Sequence, residues 1–267
     1  MSKTRVLTGA ALVPILLAIV WYLPPLVFAL LAVGGAAVGQ AELYTMARTR
    51  GARPLIVTGT FFGALVVFNF YRPLIPSAGG AVFLVSCAII AVLTARLFAR
   101  RHVEGAFEDV SFTLLGIVYV ALLFGYQVAI HAGPPGKQWL LFLYLVIWAS
   151  DTGAYYAGTS FGRHRLYEKI SPKKSIEGLV GGTVASAGVA ALCAKWLVDG
   201  AGTAEAVLLG VVLALVGTVG DLAESMLKRS VGVKDSGSIM PGHGGLLDRM
   251  DSMMFAAPVL YYYLRMR

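Results

Sequence analysis

Charge is scarce in this chain. Only 13% of its 267 residues are charged while 58% are hydrophobic, against roughly 25% and about 45–50% in soluble domains. That excludes an ordinary soluble globule. Cysteine is nearly absent too. Cys87 and Cys193 both lie in apolar stretches, so neither a disulfide framework nor a multi-cysteine metal site is supported, and packing is the role left to them. The four histidines, His102, His131, His164 and His243, are scattered without a zinc-ligand spacing, which argues against zinc chemistry. No G-x-x-x-x-G-K-[ST] sequence occurs, and the Gly34 to Gly39 cluster sits in an apolar run without strand context, where helix packing explains it better than nucleotide binding. No basic stripe carries interleaved aromatics, which sets nucleic acid aside as a partner. The net charge of +8 instead marks loops that meet anionic headgroups.

What the chain has in abundance is apolar sequence. Runs at about 6–23, 25–46, 54–74, 79–99, 110–130, 138–157, 178–198, 204–227 and 252–265 are mostly long enough, at 1.5 Å per helical residue, to cross a hydrocarbon core of roughly 30 Å. The expectation is an all-α, polytopic transmembrane helical protein of about nine spans. The first run follows Lys3 and Arg5 and superficially resembles a signal peptide. Pro24 and Pro25 lead straight into the next run without a small-residue cleavage pattern, so it reads as a retained span.

With the amino terminus in the cytoplasm, 17 of the 22 basic residues fall on that side, leaving Arg72, Lys137, Lys195, Arg265 and Arg267 on the other. This asymmetry sets the orientation and puts the two longest charged loops inside. Residues 1–137 hold few ionisable groups within their spans, Glu42 near a helix end being the main exception. They read as a transmembrane scaffold and lipid cavity, and 138–267 as a catalytic region with cytoplasmic loops.

Ionisable groups at membrane depth are costly and are normally kept for a partner or a water-filled cavity. Asp151, Asp221 and Glu224 are the ones to explain. Asp221, Ser225 and Lys228 are spaced i, i+4, i+7, within about a 60° arc of one helix face, with Glu224 on its flank. The bland reading is an intramembrane pair between Asp221 and Lys228 that closes a helix interface.

The next segment favours a site. It brings Lys228-Arg229, Lys234-Asp235, Pro241-Gly242-His243-Gly244-Gly245 and Asp248-Arg249-Met250-Asp251. Glycines around His243 let backbone approach a ligand, although a loop-stabilising hydrogen bond suits that histidine alone. Asp248 and Asp251 share a helical face. Carboxylates beside Lys228, Arg229, Lys234 and Arg249 suit hydrated magnesium on phosphate oxygens. A second constellation runs from Ser150-Asp151-Thr152-Gly153 to Ser171-Pro172-Lys173-Lys174-Ser175 and Glu177-Gly178. Ser171 or Ser175 caps the following helix, and Lys173 and Lys174 serve either a phosphate at its amino end or membrane topology.

Ser225-Met226-Leu227-Lys228-Arg229, four residues, Lys234-Asp235-Ser236-Gly237, and Pro241 through Asp251 form a run of 27 residues. Together they resemble the signature of the phosphatidate cytidylyltransferases, also called CDP-diacylglycerol synthases. Asp151 to Tyr155 and Ser171 to Gly178 are similar to the same family. Ser175 replaces a usual Thr and Met240 a more usual Leu, Ile or Phe, and both substitutions keep the essential chemistry. The resemblance implies that CTP and phosphatidic acid become CDP-diacylglycerol and pyrophosphate, with magnesium, in the cytoplasmic membrane and in a helical transmembrane fold that is usually a homodimer. It also implies potassium as a second cation, Asp221 and Asp248 as metal ligands, and Ser225, Lys228, Arg229 and Asp251 as active-site residues.

Joined to the residue reading, this makes Arg249 a further countercharge. Asp151, Lys173, Lys174, Ser175, Lys234, His243, Gly244 and Gly245 become substrate-binding candidates. Ser225 reads as a positioning hydroxyl, because no histidine base is evident beside it. A CTP-dependent transferase with another lipid acceptor is the nearest alternative. A transporter would spread its polar groups over both halves, whereas here they concentrate in the second.

Overall fold

A computed structural model describes residues 3–74, 79–99, 102–198, 200–239 and 244–267, with side chains from Val13 onward. Each predicted apolar run lies on helix: α1 (Lys3–Tyr22), α2 (Pro25–Thr49), α3 (Ile56–Asn69), α4 (Gly80–Phe98), α5 (Ala106–Leu115) continuing into α6 (Leu123–Ala132), α7 (Gly136–Phe161), α8 (Ile176–Trp196), α9 (Thr203–Ser230) and α10 (Leu247–Met266). Among the described residues, α2, α4, the α5–α6 rod, α7, α8 and α9 are long and apolar enough to cross a membrane. The protein is a multi-pass, helical membrane protein.

Three local features depart from the expected runs. First, α3 is 14 residues long, about 21 Å, and stops short of the run at 54–74 because the Asn69 side chain accepts the Leu74 amide at 3.0 Å. Second, Gly116–Leu122 is π-helical. The Tyr44 hydroxyl donates to the Thr113 carbonyl at 3.1 Å, competing for an acceptor of the α ladder at the point where the π register begins. Third, the 163–175 connection holds an antiparallel pair, β1 (Arg165–Tyr167) with β2 (Ser171–Ser175), the one sheet among the described residues.

The chain forms two compact units, Met1–Ala132 with Ser230–Arg249, and Gly133–Arg229 with Met250–Arg267. In the first, α3, α4 and the π-helical turn enclose a core of Val66, Leu84, Ala88, Val92 and Ile117. A buried ion pair ties α4 to α5 there. Arg96 Nε lies 3.0 Å from Asp109 Oδ2, the Arg53 amide donates to Asp109 Oδ1 at 2.5 Å, and Arg96 also reaches the His102 carbonyl at 2.6 Å. Removing one partner of such a pair strands the other charge, so Asp109→Ala is expected to cost about 3–5 kcal/mol. Thermal unfolding in detergent checks it, and a loss below about 1 kcal/mol would show that the pair is dispensable.

In the second unit α7 packs on α8. Contact is close because small residues line both helices: a Cβ on Gly153 would meet Gly181 O at 2.8 Å, so only glycine allows this approach. The Ser175 hydroxyl accepts the Gly178 amide at 3.1 Å, which settles the cap of α8 on Ser175 rather than Ser171. Glu177 in the first turn turns back to the Arg163 amide at 3.1 Å and the His164 amide at 3.3 Å, holding the hairpin entrance against the helix.

Candidate active site

Within the second unit, α9 presents the expected stripe. The Ser225 hydroxyl donates to Asp221 Oδ1 in a long contact of 3.4 Å. Lys174, at the end of β2, places its Nζ 2.5 Å from Asp221 Oδ2. Two separate constellations in the sequence thus meet on one carboxylate. Lys228 pairs with Glu224, one turn back on α9, and not with Asp221. The geometry explains this correction: seven residues rise about 10.5 Å along a helix, whereas i and i+4 are neighbours.

Asp251, from α10, is buried and accepts its neighbour Ser252's amide at 2.6 Å. The charges of Asp221, Asp151 and Lys228 all act on it. Asp151, Asp221, Glu224 and Asp251 therefore stand against Lys174 and Lys228. Among the described residues no three of these acids converge closely enough to hold a metal ion by themselves. Lys173, in the middle of β2, and Arg229, in the last turn of α9, are exposed.

The glycine-rich loop belongs to the first unit. Asp248 Oδ2 accepts the Ser236 amide and hydroxyl, both at 2.9 Å, and the Gly245 amide at 2.8 Å. Gly244 takes φ +82, a left-handed turn that glycine allows without strain. His243 lies outside the described residues, as do Met240, Pro241 and Gly242. Lys234 and Arg249 are exposed.

One residue of this loop's surroundings was not singled out as a site residue from sequence. Glu42, on α2, is 6% exposed. Its Oε1 accepts the Leu246 amide and its Oε2 the Leu247 amide, each at 2.9 Å. The available signal was a glutamate in an apolar helix with no basic residue three or four positions away. The amides of 245, 246 and 247 are thus all donated to carboxylates of the protein, so in this conformation the start of α10 is capped from within.

Helices long and apolar enough to cross a membrane, with acids, lysines and a hydroxyl gathered on α9 and its neighbours, define a polytopic membrane protein with a charged candidate site. The cytidylyltransferase family matches residues 3–267. A phosphatidate cytidylyltransferase of Bacillus subtilis is 34% identical over 270 residues, spanning 98% of this chain and 97% of that protein. Those of Staphylococcus saprophyticus and Staphylococcus haemolyticus are 41% and 42% identical over 163 and 155 residues, each covering 58% of this chain and 59% of the relative. The chain belongs to the cytidylyltransferase family.

Proposed function

We propose that the protein transfers the cytidylyl group of CTP to phosphatidic acid, giving CDP-diacylglycerol and pyrophosphate. The observation that carries this reading is the docking of Lys174 on Asp221 beside Ser225, in a chain that aligns end to end with a phosphatidate cytidylyltransferase. A phosphate oxygen of phosphatidate attacks the α-phosphorus of CTP in line. The bond from that phosphorus to the bridging oxygen breaks, and pyrophosphate leaves with the electron pair. No side chain need form a covalent intermediate; positioning and charge neutralisation are the main tasks.

Lys228, Arg229 and Arg249 counter the charge that builds on the transferred phosphoryl and the leaving group. Lys173, Lys174 and Lys234 draw the polyphosphate in, and Ser225 orients Asp221. Asp221 and Asp248 are the carboxylates that would hold a magnesium ion, each offering hard oxygen donors. Such a cation supplies charge neutralisation at the phosphate oxygens. The basic residues of the loops support a site at the cytoplasmic leaflet, where phosphatidate would present its headgroup while its acyl chains stay in hydrocarbon.

Pyrophosphate release by the detergent-purified protein tests this. Release is expected to require CTP, magnesium and phosphatidic acid together, to yield CDP-diacylglycerol by mass, and to vanish in Asp248→Asn. Release with another phosphorylated lipid but not with phosphatidic acid would overturn the acceptor assignment. Full activity in Asp248→Asn would remove that carboxylate from the site.

A further inference from the structure

Glu42 stands about 200 positions before the loop it holds, and its contacts reach both arms of that loop. Oε1 and Oε2 take the Leu246 and Leu247 amides, and the Ser236 hydroxyl lies 3.3 Å from Oε2. Ser236 is itself buried between two carboxylates, since its hydroxyl and amide both reach Asp248 Oδ2. Added Cβ atoms on Gly237 and Gly245 would each come within 2.6 Å of a Glu42 oxygen. Both arms therefore touch this carboxylate at a distance only glycine permits. A buried carboxylate with backbone donors at a helix start is well compensated, because those amides would otherwise be orphaned and the helix dipole favours negative charge there.

We infer that Glu42 is a positioning residue for the transferase reaction: it clamps the 236–237 and 245–247 arms together and so fixes the direction of the Asp248 carboxylate. The inference rests on the reading that Asp248 belongs to the active site. Glu42 acts through the loop and touches no reacting atom. Its loss should consequently appear in turnover more than in substrate binding.

Glu42→Gln keeps the shape but removes the charge and turns one acceptor into a donor that faces a backbone amide. Two readouts on the full-length protein in detergent are needed. Hydrogen exchange of a peptide covering 244–250 is expected to quicken, with α4 and α8 peptides unchanged. In the same preparation kcat should fall about 10- to 100-fold while KM for CTP holds steady, and Glu42→Asp should recover part of the loss.

If Glu42→Gln does not fold, Ser236→Ala and Glu42→Asp are read singly and together; coupled, less-than-additive losses in kcat are expected from a shared clamp. Faster exchange with unchanged kcat would reduce Glu42 to a structural cap. A fall in kcat without faster loop exchange, or additive losses in the double variant, would also overturn the inference. Activity retained in Asp248→Asn would instead sink the site reading, while the exchange result would still report whether Glu42 holds the loop.

Discussion

Asp221→Asn is expected to reduce CDP-diacylglycerol formation by about 1,000-fold while leaving the protein inserted and folded. The two effects separate because of where the carboxylate sits. Asp221 and Lys174 are both partly exposed, although the Lys174 Nζ atom itself is buried, so losing the carboxylate is expected to cost about 1–3 kcal/mol without unfolding the protein. Catalysis loses much more. Asparagine keeps one oxygen for the Ser225 hydroxyl but lacks the negative charge proposed to hold a cation, and it leaves the Lys174 ammonium without this counterion. Incorporation of labelled CTP into lipid measures the loss, and the thermal midpoint in detergent reports the fold. Turnover within tenfold of wild type would remove Asp221 from the metal assignment.

The parts of this molecule that were legible in the sequence are those governed by local composition. Hydropathy alone located the helices, because a backbone in hydrocarbon must satisfy its own hydrogen bonds. The spacing of Asp221, Ser225 and Lys228 gave the stripe on α9, since helical periodicity fixes which residues share a face. Ser175 was one of two caps open from sequence, and the Gly178 amide decided between them.

What stayed hidden depends on contacts between distant positions. The π-helical turn follows from Tyr44 reaching Thr113, 69 residues away, and nothing near 116–122 announces it. The hairpin at 165–175 follows from Glu177 reaching back 13 and 14 residues to backbone amides. Glu42 was visible as an anomaly but not as a loop clamp, because its partners lie 194 to 205 residues further on. The glycines beside it were expected to open backbone toward a ligand. At Gly245 the structure shows another use, close approach to the Glu42 carboxylate and the Ser236 hydroxyl.

Lys228→Met is expected to damage both stability and activity, and a second substitution separates the two. Glu224 is 0% exposed and Lys228 nearly so. Deleting the ammonium strands a carboxylate in a low-dielectric interior, at a cost of about 3–5 kcal/mol. Replacing both, as Glu224→Gln with Lys228→Met, removes the stranded charge, and most of the stability should return because neutral, well-packed groups can substitute for a buried pair. Activity should stay at background, since the ammonium proposed to counter the phosphate charge is still missing. Glu224→Gln alone keeps that charge at the end of α9, where a long lysine can reach the interface, and should retain measurable turnover. The thermal midpoints and rates of the three variants decide the matter. Recovery of turnover in the double variant would show that Lys228 serves only to neutralise Glu224, and a Lys228→Met protein as stable as wild type would show that the pair does not hold α9 in place.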